Sequence, residues 1–112
     1  MTEYNFRIAK GRDGWAAETR IKLDDHGLPG RVLELSTYKS SRGGVWTHAQ
    51  CLKLEGGFVT FVIFQDFSKT VQQDRKARCT EKTVETMHQA ALAQADAIVA
   101  ECVAAYTQKE AA

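Results

Sequence analysis

The histidine and cysteine residues are the first candidates for chemistry in this sequence. His48 and Cys51 form the closest His/Cys pair, three residues apart. In a strand, that spacing places the two side chains on opposite faces, so they cannot act together as base and nucleophile. His26 lies beside Asp24 and Asp25, but loops collect these residue types for turn geometry alone. The sequence therefore predicts no metal site and no cofactor.

The glycine pairs and the cysteines do not indicate catalysis either. The pairs at residues 43–44 and 56–57 do not lie between a strand and a helix with the spacing of a phosphate-binding loop, and they suit hairpin turns instead. Cys51, Cys79 and Cys102 include no CxxC pair, which predicts free thiols, with Cys51 as a small buried residue. We therefore expect a non-catalytic protein.

Basic and aromatic residues are interspersed along the first half of the sequence, on segments whose alternation predicts strands. Lys and Arg side chains hold phosphates and aromatic faces stack on bases, which is how single-stranded nucleic acid is commonly bound. The candidate nucleic-acid-binding residues are Arg7, Arg20, Tyr38, Lys39, Arg42 and Trp46.

The two aromatic candidates differ in where strand alternation places them. If Leu33 and Leu35 lie in the core, Tyr38 lies on the opposite face and is available to a ligand. Trp46 has the same parity as Leu52 and Leu54, so alternation is equally compatible with a core position for Trp46.

Length and composition fit one folded domain over residues 1–112. Apolar residues make up 44% and charged residues 26% of the chain, the balance of a globular protein. No apolar run approaches the roughly 20 residues that cross a bilayer, and the first residues lack a signal pattern, so we expect a cytoplasmic protein. Residues 1–79 hold 13 Lys and Arg against 9 Asp and Glu, which makes the predicted strand region the basic part of the chain.

Period-two alternation predicts about five antiparallel strands in residues 1–67. The predicted strands cover residues 4–9, 15–23, 31–39, 45–54 and 58–64. Glycine-rich segments between them predict loops and hairpins, so the sheet is a meander. Residues 58–64 are apolar on both faces, which favours a central strand or an interface.

The remaining residues predict an irregular basic connection over residues 68–79 and one long C-terminal helix over residues 80–107, with Thr80 as its N-cap. About 26 helical residues span roughly 39 Å, which exceeds the length of most predicted strands. The helix is rich in alanine, which allows close helix contact, so this overhang predicts a homodimer. The predicted fold class is α+β.

This order of elements resembles that of a group of single-stranded nucleic-acid-binding proteins, which includes positive cofactor 4 and the Whirly and PUR proteins. The resemblance is one of topology and covers the strand at residues 31–39, the basic hairpin at 39–44, the strands at 45–54 and 58–64, and the helix from Glu81. It implies that a curved sheet carries the ligand and that the helix supports or dimerises the fold.

Two other classes of binding protein fit the same sequence. The apolar residues 58–64, the extension at residues 65–67 and the alanine-rich helix fit a protein-interaction module, such as a small regulatory or inhibitory protein of phage or plasmid type. A small-molecule binder would need a cavity between sheet and helix. Exposed Phe61, Phe64 and Phe67 would favour a protein partner, whereas cations and aromatic rings on one face would favour nucleic acid. We expect a non-catalytic binding protein with single-stranded nucleic acid as its favoured ligand.

Overall fold

The computed structural model describes residues 4–55, 58–60 and 67–111, which form an antiparallel sheet with two helices on one face. The strands are β1 (Arg7–Gly11), β2 (Gly14–Lys22), β3 (Arg31–Lys39), β4 (Val45–Glu55), β5 (Phe58–Thr60) and β6 (Ser68–Asp74). The helices are α1 (Glu81–Leu92) and α2 (Ala95–Ala111), and a short 3-10 helix at Asp24–His26 joins β2 to β3. The predicted α+β class with an antiparallel sheet is confirmed.

Strand β6 replaces the first part of the irregular connection that was expected over residues 68–79. Strands β1 to β4 lie in chain order, and β5 and β6 follow each other along the far edge of β4, so the sheet is five strands wide. Two inward-facing residues of β6 are polar, since Lys69 reaches Glu101 and Gln72 reaches Thr47, while Val71 packs against the hydrophobic core. The period-two hydrophobic signal that identifies a strand is therefore missing from this one.

The expected single long helix is wrong, because the chain breaks at residues 93–94 into α1 with 12 residues and α2 with 17. At the break, the Gln94 N–H donates to the Ala91 carbonyl at 2.9 Å, three residues back instead of four, which tightens the turn. No glycine or proline marks this position. The apolar spacing continues across the break, and it therefore predicted one continuous helix.

The division of the helix also removes the length argument for a homodimer. Helices of 12 and 17 residues span only about 18 Å and 26 Å, which do not exceed the longer strands. The predicted start is correct, since the Thr80 hydroxyl accepts a hydrogen bond from the Thr83 N–H at 3.2 Å and caps α1.

The core lies between the helices and the inner face of the sheet, which we define as the face that packs on α1 and α2. The larger cluster joins the sheet to α2 and contains Ile21, Leu23, Leu28, Leu33, Leu35, Ala49, Cys51, Ala95, Ile98, Val99, Cys102 and Tyr106. The smaller cluster joins it to α1 and contains Ala17, Val45 and Val84, with Phe6, Ile8, Trp15 and Met87 among the residues packed against it. Each fully buried Leu, Ile or Val contributes about 1.5–3 kcal/mol. These contacts define the inward-facing residues of each strand, while Val32 and Leu52, which pair with each other on the opposite face, are also buried.

Candidate nucleic-acid interface

Three rings form a row on the outer face of the sheet, the face opposite the helices. Tyr38 pairs directly with Trp46 across β3 and β4, with ring centroids 5.8 Å apart and ring planes at 77°. The His48 ring follows Trp46 at 5.4 Å. All three side chains are half-buried. Leu33 and Leu35 are fully buried, so the expected placement of Tyr38 opposite the core is confirmed, and Trp46 lies on the same outer face.

Two grooves open beside Tyr38 because the neighbouring residues on β1 and β2 are small. Ala9 pairs with Ala16 across these strands, and neither side chain fills the space next to the tyrosine ring. The strand groove, about 390 Å³, is lined by Arg7, Ala9, Lys10, Gly11, Ala16, Ala17, Glu18, Ser36 and Tyr38. The turn groove, about 630 Å³, is lined by Gly11, Arg12, Asp13, Gly14, Trp15, Ala16, Tyr38, Lys39, Ser40 and Ser41. Tyr38 therefore borders both grooves.

A third cavity lies on the other side of the ring row, between the β3–β4 turn and the end of β6. This hairpin pocket, about 380 Å³, is lined by Ser40, Ser41, Arg42, Trp46, Thr70, Gln73 and Arg75. The turn is held by backbone bonds from Ser40 N–H to Gly44 O at 3.0 Å and from Gly43 N–H to Ser40 O at 3.1 Å. Trp46 lines this pocket, as its neighbour Tyr38 lines the two grooves.

Gly44 allows the turn to lie directly against β6. Its φ is +77°, and a Cβ at this position would lie 2.0 Å from the Asp74 carbonyl oxygen and 2.5 Å from the Arg75 Cα. Any other residue would require the backbone of one segment to move. The contact brings Arg42 and Arg75, which are 33 positions apart in the sequence, to the same pocket.

The linings of the two grooves and the hairpin pocket are basic. They include six cations, Arg7, Lys10, Arg12, Lys39, Arg42 and Arg75, and two carboxylates, Asp13 and Glu18. The whole chain carries a net charge of only +1, so the positive charge is concentrated around the ring row. A surface of this kind attracts phosphate groups through its summed field.

Five of the six residues predicted from the sequence lie around this surface. Arg7, Tyr38, Lys39, Arg42 and Trp46 line a groove or the pocket. Arg20 does not: its side chain is on the outer face, and its Nε donates to Glu34 Oε2 at 3.1 Å. This ion pair neutralises the charge of Arg20, so Arg20 is not a strong candidate for a phosphate contact.

Two ring nitrogens in the row have unfilled hydrogen-bonding capacity. Among the residues that the structure describes, buried Trp46 Nε1 and His48 Nδ1 have no hydrogen-bond partner, whereas His48 Nε2 lies 2.8 Å from Ser68 Oγ. Burial lowers the pKa of His48, so its imidazole is neutral at pH 7. Unpaired buried polar atoms are uncommon in native proteins and call for a specific explanation.

His48 and Cys51 lie on opposite faces of β4, as predicted, and therefore form no dyad. Cys51 is fully buried on the inner face beside Cys102, and the prediction of a small buried residue is confirmed. The hydrogen bond with Cys51, together with burial, raises the pKa of the Cys102 thiol. Cys79 Sγ donates to the Trp15 carbonyl at 3.2 Å. All three thiols are free, and the two in the core are shielded from solvent.

A cluster of polar residues lies between the inner face of the sheet and α1, centred on the fully buried His88 of α1. His88 Nε2 lies 2.8 Å from Thr19 Oγ1, and His88 Nδ1 lies 2.8 Å from Thr37 Oγ1. Thr37 Oγ1 is in turn 2.7 Å from Thr47 Oγ1, which accepts from Gln72 Nε2 at 2.8 Å. This inner chain of hydrogen bonds crosses from β2 to β6 beneath α1.

The two ends of the inner chain fix its direction. The Thr19 hydroxyl donates to the Asn5 carbonyl, so it must accept from His88 Nε2–H. At the other end, the Gln72 amide donates to the Met87 carbonyl as well as to Thr47. Because Nε2 of neutral His88 carries the proton, Nδ1 accepts from the Thr37 hydroxyl. The Thr37 oxygen in turn accepts from the Thr47 hydroxyl.

This arrangement stabilises a neutral His88 with the proton on Nε2. Burial lowers the pKa of His88 to about 4. The neighbouring polar groups in the chain are threonines and one glutamine, and Phe6 contacts the imidazole with ring centroids 5.5 Å apart. His88 is buried from solvent and both of its ring nitrogens are hydrogen-bonded, so the cluster links α1 to the sheet through buried hydrogen bonds.

Several residues of the outer surface and of the hydrogen-bond chain around His88 were not identified from the sequence. Arg75 was recognised only as part of a basic segment, because its contact with the β3–β4 turn is long-range. Lys10 and Arg12 both lie in the predicted turn between the first two strands, at residues 10–14, and join the surface through the hairpin geometry. His88 had a usable signal: it lies on the apolar stripe between Val84 and Ala91, where helical spacing predicts burial.

The aromatic residues that would indicate a protein partner are only partly described. Phe67 packs against the larger core cluster. Phe61 and Phe64, with the rest of residues 61–66, lie outside the described residues, and β5 (Phe58–Thr60) is the described part of the predicted apolar strand. The two phenylalanines whose side chains the structure describes, Phe6 and Phe67, are partly buried.

Neither helix in the described chain is long and apolar enough to cross a bilayer. Across the same residues, no three His, Cys, Asp or Glu side chains converge on a possible metal site. No protein-family model matches the sequence, and comparisons with curated proteins and with solved structures give no match. The resemblance in element order to the Whirly and PUR group gains no support from these comparisons, and the case for a function rests on the outer face.

Proposed function

We propose that this protein binds single-stranded nucleic acid on the outer face of its sheet, without catalysing a reaction. The observation that carries the proposal is the pair of Tyr38 and Trp46, which lies between cation-lined cavities on an open surface. Aromatic side chains stack on bases of any sequence, and each stacked base contributes about 1–3 kcal/mol. The surrounding Lys and Arg side chains hold the phosphates.

The charges on the outer face favour one path for the bound nucleic-acid strand across the sheet. Near the middle of the strands, Arg20 is paired with Glu34 at 3.1 Å, and Gln50 donates to the same carboxylate at 3.1 Å. Near the hairpin ends, the lining is mainly cationic. The nucleic acid therefore crosses the sheet along the row of Tyr38 and Trp46. This path covers about 19 Å, the width of four spacings between adjacent β-strands.

The test is fluorescence anisotropy of a labelled, mixed-sequence single-stranded oligonucleotide at about 50 mM and 200 mM salt. We expect binding that weakens with salt, by about 50-fold if four phosphates are contacted. Absence of binding at the lower salt concentration would overturn the proposal. The protein-interaction alternative would then be tested by pull-down.

Two variants separate stacking from a general loss of structure. Tyr38→Leu keeps an apolar side chain but removes the ring, and we expect it to weaken binding about 5- to 150-fold. Tyr4→Leu is the matched control, because Tyr4 packs on the helix side and its hydroxyl donates to Asp96. Equal binding by both variants and the unmodified protein would exclude Tyr38 from the site.

A further inference from the structure

We propose that the hairpin pocket is a phosphate-binding subsite that holds the phosphate of a nucleotide whose base lies on the Tyr38 and Trp46 rings. The inference rests on the proposed function and adds a specific anchoring point to it. The pocket joins two exposed arginines, Arg42 and Arg75, to the wall formed by Trp46. Its class of ligand is a nucleoside monophosphate or a phosphate within a single strand.

The backbone holds the two arginines in place. The β3–β4 turn lies so close to β6 that a Cβ on Gly44 would meet backbone atoms of Asp74 and Arg75 within 2.7 Å, and a Cβ on Gly43 would lie 3.9 Å from the Arg75 carbonyl oxygen. The turn is also fixed by the Ser40 hydroxyl, which accepts from the Arg42 N–H at 3.2 Å. Arg42 and Arg75 therefore start from backbone positions that are fixed relative to each other.

The chemistry of the lining suits an oxyanion. Two guanidinium groups present forked donors that match phosphate oxygens, and the Ser41 and Thr70 hydroxyls and the Gln73 amide supply neutral donors. No carboxylate lines the pocket among the described residues. The nearest acid in sequence, Asp74, does not line the pocket, and its Oδ1 accepts from the Lys76 N–H at 3.0 Å.

Trp46 connects the subsite to the stacking surface. Its ring lines the pocket and also contacts Tyr38 with centroids 5.8 Å apart. A phosphate held by Arg42 and Arg75 therefore places the attached sugar and base beside the ring row. This arrangement favours a nucleotide over free phosphate, because only the nucleotide uses both parts of the surface.

The experiment follows the indole N–H signals by two-dimensional NMR of ¹⁵N-labelled protein. The chain has two tryptophans, and Trp15 packs against the smaller core cluster and lines the turn groove instead of the hairpin pocket, so its signal distinguishes binding in the hairpin pocket from binding in the turn groove. Thymidine monophosphate, thymidine and inorganic phosphate are added in separate titrations. We expect the monophosphate to shift the Trp46 signal and to bind at least about tenfold more tightly than either thymidine or phosphate alone.

Arg75→Gln and Arg42→Gln should each remove most of the advantage of the monophosphate over the nucleoside. Arg78→Gln is the matched control, since Arg78 is exposed and lies outside the pocket lining. Because all three arginines are exposed, circular dichroism should show folded variants. Equal affinity for thymidine and its monophosphate, or an equal effect of all three substitutions, would overturn the subsite.

The outcome also separates this inference from the proposed function. If single strands bind and Arg75→Gln binds them as tightly as Arg78→Gln, the subsite is wrong and the proposed function stands. If the monophosphate binds through Arg42 and Arg75 but no single strand binds, the subsite stands and the proposed function is wrong. Inorganic phosphate that binds as tightly as the monophosphate would overturn the assignment to a nucleotide.

Discussion

The polar side chains beneath α1 and those in the ring row of the outer face differ in whether their buried atoms find hydrogen-bond partners. On the inner face, the hydroxyls of Thr19, Thr37 and Thr47 are buried, and each is paired in the inner chain of hydrogen bonds around His88. On the outer face, Trp46 Nε1 is buried without a partner among the described residues. A fully satisfied buried network stabilises one structure, whereas an unsatisfied group next to cationic cavities is compatible with the ligand-binding surface that we propose.

The largest predicted effect comes from removing the centre of the inner chain. His88→Ala should lower the free energy of unfolding by about 3–5 kcal/mol, because it opens a cavity and leaves the hydroxyls of Thr19 and Thr37 without their partner. Urea unfolding followed by circular dichroism measures this. His26→Ala is the control, since His26 is exposed in the β2–β3 loop and should change stability by less than about 0.5 kcal/mol. A similar loss of stability in both variants would show that the hydrogen bonds of His88 do not stabilise the packing of α1 on the sheet.

Acid should destabilise the protein through the same histidine. The pKa of His88 is about 4 in the folded protein and 6.5 in the unfolded chain, so the unfolded chain binds more protons between these values. The free energy of unfolding should therefore fall as the pH decreases from 7 to 4, by up to about 3 kcal/mol, with no further contribution from His88 below pH 4.

The pH effect is isolated by comparing the unmodified protein with His88→Gln over the same range. Glutamine does not titrate, so the difference in stability between the two proteins should shrink as the pH falls from 7 to 4. A constant difference across this range would contradict a neutral, buried His88. The comparison also removes the contributions of other groups that titrate here, including His48, whose pKa burial lowers as well.

The comparison of the faces also shows what alternation in a sequence can reveal. Apolar and polar alternation was enough to place Tyr38 on the face opposite Leu33 and Leu35, and to predict the α+β class. It could not detect β6, because inward-facing Lys69 and Gln72 find polar partners on α2 and β4. Patterns of hydrophobicity report burial in an apolar core and do not report polar pairs formed by folding.

The candidate site was predictable to a similar extent. Residue type made Tyr38, Arg42 and Trp46 candidates, since cations can hold phosphates and aromatic rings can stack on bases. The pocket that Arg42 forms with Arg75 depends on the close packing of Gly44 against β6, which is a long-range contact. The pairing of Arg20 with Glu34 across β2 and β3 likewise follows from strand register, which the sequence alone did not specify.

A pair of glycine substitutions tests the backbone contact behind the outer face. Gly43 and Gly44 both have positive φ, +101° and +77°, so an alanine is strained at either position. Only at Gly44 would the added Cβ also meet backbone, 2.0 Å from the Asp74 oxygen. Gly44→Ala should therefore be less stable than Gly43→Ala by about 2 kcal/mol in thermal or urea unfolding. Equal stabilities would show that the turn does not lie against β6.

The smallest predicted effect compares two threonines, one on each face. Thr37→Val keeps the shape of the side chain but leaves His88 Nδ1 without a donor and the Thr47 hydroxyl without its acceptor, so it should cost about 1–2 kcal/mol. Thr70→Val is the control on exposed β6, where solvent replaces any lost hydrogen bond and the change should stay within about 0.5 kcal/mol. If the two variants were equally stable, the threonines of the inner chain would be no more structural than those of the outer face. A difference of the expected size, together with unchanged nucleotide binding by Thr37→Val, would assign stability to the inner face and leave binding to the outer one.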